Sequence, residues 1–377
     1  MKKVLIFSLT YFPFVGGAEI AIDQITERLS SFDFTLITAR LEKKLPQQEK
    51  IGRVTVYRVG WGNILDKYLF PFLAYKKAIK LEKFDMSWAM MANYAGLAAL
   101  FYKFRNRQIP YLLTLQSGDS ELFMWIRTWF WYPLYKKIYT KADQIQAISQ
   151  YLKNRAGKYG YTGKVDVIPN GVDLAVFTRR FNDETRERLK TDLGIKPDEK
   201  VIITTSRLVA KNAVSDLIRS VRNLPVRLII LGKGKLENRL RALSQEIGNH
   251  NKVIFLGEKK YAEIPGYLAI ADIFCRPSLS EGLGNSFLEA MAAKVPVVAT
   301  PVGGILDFLT DRKTGLFCEV RNPASISEKI NEILNNDGLR RQLTDNAYKM
   351  VLENYNWDNI AGRMEKIFTE IKCQNPK

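Results

Sequence analysis

Short apolar runs rich in β-branched residues recur along the chain, and amphipathic stretches and turn residues separate them. Lys3–Thr10 reads as a buried strand, Gly16 and Gly17 as a tight turn, and Ala18–Leu29 as an amphipathic helix. Phe34–Thr38 and Val54–Val59 continue the strands, Leu69–Lys83 is a basic helix, and Tyr111–Leu115 is a further strand. Ile145–Ser149 and Val165–Ile168 close this series before Pro169, Asn170 and Gly171 make a turn. A polar span, Thr178–Lys200, carries a linker and an exposed helix.

A second series then begins. Val201–Thr205, Val226–Gly232, Val253–Gly257, Asp272–Arg276, Val295–Ala299 and Gly315–Cys318 read as strands. Ile264–Ala269, Phe287–Ala293, Ser325–Leu334, Leu339–Glu353 and Trp357–Ile371 read as helices. Strands that alternate with helices predict α/β architecture with parallel sheets, and ligands then gather at the carboxyl ends of the strands. At 377 residues the chain exceeds what one core usually supports, so two domains are expected.

Composition changes this picture in one respect. Hydrophobic residues at 46% and charged residues at 25% are ordinary for a globular chain, but the formal charge is +18. Residues 1–175 hold 25 Lys and Arg against 14 Asp and Glu, and the remainder holds 32 against 25. The first half is the more basic, which suits phosphate-rich donors, anionic lipid heads or nucleic acid and does not by itself choose among them; no recognised nucleic-acid module is present. Cys275, Cys318 and Cys373 are widely spaced and His250 is the single histidine, so neither a disulfide framework nor a His/Cys metal site is expected. A reducing cytoplasm fits such usage. Lys2, Lys3 and the apolar run after them imitate a signal peptide, but Pro13 and Gly-Gly-Ala-Glu favour a strand and turn. The longest apolar stretch, Ala89–Tyr102, falls short of the roughly 20 residues that span a bilayer.

The chemistry concentrates in RPSLSEGLGNSFLEAMAAKVPVVATPVGG, Arg276–Gly304. Glu281 lies in its loop, Gly282 and Gly284 allow close backbone approach, and Asn285 or Ser286 can cap a helix that carries Glu289. Free N–H groups at such a helix start suit an anion. On one continuous helix, acids eight residues apart would lie roughly 12 Å apart along the axis, whereas retaining glycosidases need about 5 Å, so that pairing is disfavoured. Arg207 and Lys211 stand at the carboxyl end of a strand, where two fixed cations suit a pyrophosphate. Phe123–Lys141 mixes Trp125, Trp129, Phe130, Trp131 and Tyr135 with Arg127, Lys136, Lys137 and Lys141. That mixture suits either a lipid interface or a helix pair packed on its own domain, broken at Pro133.

The segment EGLGNSFLEAMA, with PVVAT, PVGG and the earlier PNGVD, resembles the retaining glycosyltransferases of family 4, whose fold is GT-B. The resemblance implies two Rossmann-like doubly wound domains facing a cleft: 1–175 on the acceptor side, 176–356 for the nucleotide-sugar, and a final helix, 357–377, packing back on the first domain. It implies that Glu289 holds ribose and Glu281 the hexose, and that the backbone of Gly282, Leu283, Gly284, Asn285 and Ser286 faces sugar and phosphate. Gly16 and Gly17 correspond to the glycine turn beneath the diphosphate, and the turn at Gly257 to the nucleobase contact.

Three positions depart from the family pattern. Gln116 stands where many relatives carry His, Asn212 where they carry Lys, and Lys294 where they carry Gly. An amide carbonyl at Gln116 can still stabilise developing positive charge. No Asp-x-Asp motif is present, so no metal is expected, and no cofactor beyond the nucleotide diphosphate-sugar donor. The implied reaction is sugar transfer to an acceptor hydroxyl of a glycan or lipid-linked precursor; cysteine usage and the aromatic, basic stretch Phe123–Lys141 suggest the cytoplasm or the periphery of an anionic membrane, without nucleic acid. Competing readings are a catalytically silent nucleotide-sugar or membrane-binding partner, a sugar-nucleotide epimerase, and a phosphorylase.

Overall fold

The β-branched runs become the central strands of two parallel sheets. The computed structural model describes residues 1–119 and 121–373, apart from the side chains of Leu122, Phe123 and Arg127, so the roles expected of Phe123 and Arg127 lie outside the described residues. The chain divides into two units, one formed by Met1–Gly171 with Trp357–Lys377, the other by Val172–Asn356.

Strands of the first unit are β1 (Lys2–Phe7), β2 (Phe32–Ala39), β3 (Gln48–Ile51), β4 (Val54–Val59), β5 (Met86–Met90), β6 (Tyr111–Leu115), β7 (Gln144–Ala147) and β8 (Val165–Val167). Among the described residues they form one sheet in the order β3-β4-β2-β1-β5-β6-β7-β8. All neighbours are parallel except β3, which runs antiparallel to β4 at the edge. The sequence pattern does not announce β3, because Gln48, Glu49 and Lys50 are polar and its pairing alone makes it a strand. Nor does it separate β5 from the apolar stretch Ala89–Tyr102, which is the end of β5 followed by most of the buried helix Tyr94–Arg105. No helix among the described residues is long and apolar enough to cross a membrane.

The terminal helix Trp357–Glu370 belongs to the first unit. Trp357, Ile360, Ala361, Met364, Ile367 and Phe368 recur at helical spacing and enter the core made by β1, β2, β5 and the helix Gly17–Arg28. Phe368 meets Phe32, Phe34 and Trp88 at ring distances of 5.6, 6.2 and 5.1 Å. The aromatic stretch folds as the helix Glu121–Thr128, a 3₁₀ turn Trp129–Trp131 and the helix Tyr132–Thr140. Pro133 lies in the first turn of that last helix, where its missing N–H costs nothing, so the stretch is two helices and not one, with Pro133 at the start of the second. The basic helix runs Asp66–Ala78, earlier than the apolar pattern indicates, because Asp66 Oδ2 accepts from the N–H groups of Gly62 and Asn63 and anchors the turn.

The second unit holds β9 (Lys200–Thr205), β10 (Val226–Leu231), β11 (Val253–Gly257), β12 (Ile273–Arg276), β13 (Val297–Ala299) and β14 (Leu316–Phe317). Their order is β11-β10-β9-β12-β13-β14, all parallel. The order reverses between β9 and β12, and the loops that leave these two strands therefore part in opposite directions. Lys294 owes its oddity to the backbone: at φ 57° it ends the helix Asn285–Ala292 in the left-handed conformation that Gly adopts most easily. Its ammonium lies 4.6 Å above the Tyr348 ring, a cation–π contact that offsets part of the strain.

Replacing Phe368 by Ala should destabilise the first unit by about 3–5 kcal/mol, read from urea unfolding, because it removes the ring on which three others close. A change within about 0.5 kcal/mol would show that the terminal helix contributes little to this core.

Candidate functional site

The reversal between β9 and β12 brings the loops Ser206–Val209 and Pro277–Gly284 to one edge of the second sheet. A main-chain bond ties the second loop to the turn that follows the first: the Leu279 N–H donates to the Lys211 carbonyl at 2.6 Å. Arg207 is exposed on the first loop and Lys211 is half-buried where the two meet. Asn212 is buried and donates through Nδ2 to the Arg207 carbonyl at 2.7 Å. Asn212 thus braces the loop from inside, and Lys211 is the cation beside it.

Arg276, the last residue of β12, is the hub of this edge. Its side chain is 8% exposed, stacks over the Phe287 ring at 4.4 Å, and donates to the Thr205 carbonyl at 3.2 Å. It also donates to Ser286 Oγ at 2.7 Å and to Glu281 Oε2 at 2.8 Å. The other oxygen, Glu281 Oε1, accepts from the N–H of Gly282 at 3.3 Å. The Glu281 carboxylate is therefore fixed in place. Neither Asn285 nor Ser286 caps the following helix: Gly284, at φ 96°, is the N-cap without a side-chain bond, and the Ser286 hydroxyl is engaged by Arg276. That leaves the helix start presenting backbone N–H groups. Gly303 completes the edge, since a Cβ there would lie 2.0 Å from the Glu281 carbonyl oxygen. Five polar atoms at these strand ends are buried without a hydrogen bond among the described residues: the hydroxyls of Thr204, Thr205, Ser206 and Ser278, and Arg276 Nε.

Glu289 sits within that helix and is buried. Burial pushes its carboxyl up to about 7, and the nearby Arg276 guanidinium only partly opposes the shift. Burial also raises the Tyr261 phenol, with the charges of Glu289 and Asp173 adding to it. Gly257 ends β11 at positive φ, and its carbonyl accepts from the Gly232 N–H at 2.7 Å.

In the first unit the strand order reverses between β1 and β5, and Gly16 and Gly17 follow β1. Gly16 is the N-cap of Gly17–Arg28, and the buried carboxylate of Glu19 folds back on it, accepting from the Gly16 N–H and from Thr10 Oγ1. Desolvation raises the Glu19 carboxyl despite these bonds. Gln116, at the end of β6, exchanges two amide hydrogen bonds with Asn170, each 3.2 Å. Arg155 holds the loop after Gln116 through the carbonyls of Ser117 and Asp119, at 2.8 and 2.6 Å.

Sequence reasoning passed over Arg276, Arg155 and Glu19. The signal for Arg276 was a charge closing the fully apolar run Ile273–Cys275, since such a charge stays buried only with partners waiting. His250 is exposed, Cys275 and Cys318 are buried free thiols, and Cys373 is a partly buried one. No group of three His, Cys, Asp or Glu among the described residues is placed to hold a metal.

Comparison with known proteins bears on this arrangement. The family "Glycosyltransferase Family 4" matches residues 15–176 and "Glycosyl transferases group 1" matches residues 185–350. An uncharacterized glycosyltransferase of Methanocaldococcus jannaschii is 28% identical over 390 residues, covering 97% of each chain. A GDP-mannose-dependent monoacylated phosphatidylinositol monomannoside mannosyltransferase of Corynebacterium glutamicum is 32% identical over 62% of this chain and 63% of its own. Among solved structures, sucrose-phosphate synthase from Thermosynechococcus elongatus superposes with TM-score 0.83 at 20% identity, over 98% of this chain and 99% of that one. HepE of Anabaena, solved with UDP and glucose, superposes with TM-score 0.81 at 19% identity over 98% and 100%. These structural likenesses establish the GT-B fold.

The raised Glu289 carboxyl has a stability signature. Its neutral form is favoured by folding, so the contribution is complete below about pH 4.5 and is lost as pH rises through about 7. Glu289→Gln should therefore be more stable than the parent at about pH 8, by on the order of 2–3 kcal/mol, and lose most of that advantage at about pH 5. Urea unfolding at the two pH values measures this. An advantage independent of pH would contradict a buried, titrating carboxylate.

Proposed function

We propose, from the premise that this chain belongs to the family 4, group 1 glycosyltransferases of the GT-B fold, that it moves a sugar from a nucleotide diphosphate-sugar to an acceptor hydroxyl with retention at the anomeric carbon. The observation that carries this reading is the β9/β12 edge, where cations, an uncapped helix start and a buried carboxylate meet at a topological reversal. In this reading Glu289 accepts from the ribose hydroxyls. Glu281, oriented by Arg276, accepts from the hexose. Arg207 and Lys211 neutralise the diphosphate as it leaves, the task a metal performs in other transferases, and the reaction runs without one.

The N–H groups from Gly282 to Ser286 contact sugar and phosphate, and the turn at Gly257 meets the base through backbone; the role of Gly16 and Gly17 toward the diphosphate rests on the family resemblance alone. The bond between the anomeric carbon and phosphate oxygen breaks, a bond to the acceptor oxygen forms on the same face, and the acceptor proton passes to the leaving phosphate. Gln116 would stabilise the positive charge at the anomeric carbon through its carbonyl. A lipid-linked or glycan acceptor is supported by the mannosyltransferase relative, whose acceptor is a phosphatidylinositol monomannoside. The cytoplasm is proposed as its compartment, since the three cysteines are unpaired thiols.

The internal pairing of Gln116 and Asn170 favours a second reading, a nucleotide-sugar-binding protein without turnover. One experiment separates the two. Incubation with uridine and guanosine diphosphate-sugars, with and without lipid extract, should release nucleotide only when an acceptor is present, and NMR of the product should show the anomeric configuration of the donor. Binding without release would favour the silent reading, and an inverted product would overturn retention. Glu289→Ala should weaken donor binding by roughly tenfold or more, and Arg207→Ala should lower kcat by about 100-fold. Unchanged donor affinity in the first variant would remove the ribose assignment.

A further inference from the structure

We propose that the first unit carries a two-part docking surface for an anionic lipid bilayer, formed jointly by residues 61–80 and 124–141. Ten of the sixteen exposed large apolar side chains among the described residues fall in two short stretches, 61–72 and 125–130. Trp61, Trp129 and Phe130 are 65%, 66% and 74% exposed, well beyond the scattered surface residues that every protein shows. The helix Asp66–Ala78 turns Tyr68, Leu69 and Phe72 outward, and Phe72 is backed by Phe101 at 5.3 Å.

The two stretches are one surface because Tyr94 bridges them. Its ring meets Tyr68 at 5.8 Å and stacks on Trp131 at 6.5 Å. The exposed charge is mostly cationic: Asp66 is buried, and Glu121, at the margin, pairs with Lys158. No carboxylate occurs between Lys67 and Leu81 or between Leu122 and Lys141. Lys76, Lys80, Lys136, Lys137 and Lys141 are exposed and make no ion pair among the described residues. Rigid aromatic rings ringed by ammonium groups match a layer of acyl-chain boundary beneath anionic headgroups, where tryptophan seats at the interface and lysine reaches the phosphates. An anionic bilayer fits this face best, because among the described residues of the two stretches the exposed charges are lysines and the single acid, Asp66, is buried.

This docking does not depend on sugar transfer, so its test reads binding alone. The full chain is co-sedimented with vesicles of phosphatidylglycerol and phosphatidylcholine, and with phosphatidylcholine alone. Strong partition into the anionic vesicles is expected, with loss of at least about tenfold for each of three variants, Trp129→Ser/Phe130→Ser, Trp61→Ser/Phe72→Ser and Lys136→Glu/Lys137→Glu. Lys349→Glu, an exposed change on the second unit, should leave partition unaltered. All these positions are exposed, and circular dichroism checks that each variant is folded. No partition into anionic vesicles would overturn the proposal. Full retention by the Trp61/Phe72 variant would overturn the two-part surface, and self-association abolished by the same substitutions would show the face to be a contact between copies of the chain.

Discussion

One buried guanidinium organises the carboxyl edge of the second sheet. Arg276 joins the end of β9, the loop bearing Glu281 and the start of the helix bearing Glu289, and its plane rests on Phe287. Each partner answers a part of the cost of removing a cation from water, and removing such a charge from its partners typically costs about 3–5 kcal/mol. Arginine suits the position because its planar fork addresses three acceptors in different directions while stacking, which an ammonium cannot do. Arg276 touches no reacting atom in the proposed chemistry; it is a positioning residue that fixes where Glu281 points.

The same edge holds groups that fold at some expense. Glu289 is buried beside a single partly compensating cation, and the hydroxyls of Thr204, Thr205, Ser206 and Ser278 lack partners among the described residues. Most buried polar atoms in proteins are paired, so a cluster of unpaired ones at a strand reversal marks a place shaped for something other than stability. The sheet order explains why they cluster there: in the second sheet the order reverses between β9 and β12, so the loops that leave these two strands part in opposite directions.

Much of the architecture was legible because parallel strands buried on both faces carry continuous apolar runs, and Val201–Ile203, Leu228–Leu231 and Tyr111–Leu113 read that way. The GT-B fold and the family followed from the segment around Glu281. What escaped was set by contacts distant in sequence. The polar strand β3 exists by pairing with β4, and Arg276 is explained only by partners on three other elements. Asn212 departs from the family pattern and is an internal brace, while Lys294 looked anomalous until its positive φ placed it at a helix end. Gln116 read as an amide whose carbonyl can face positive charge, and only the fold supplies its reciprocal partner Asn170.

In the proposed chemistry the β9/β12 edge receives a nucleotide diphosphate. Hydrogen exchange measured with and without uridine and guanosine diphosphates tests this most directly. Slowed exchange of the amides from Gly282 to Phe287 and of the Arg207–Lys211 loop is the predicted result. Saturating nucleotide that binds while leaving both segments unchanged would contradict it.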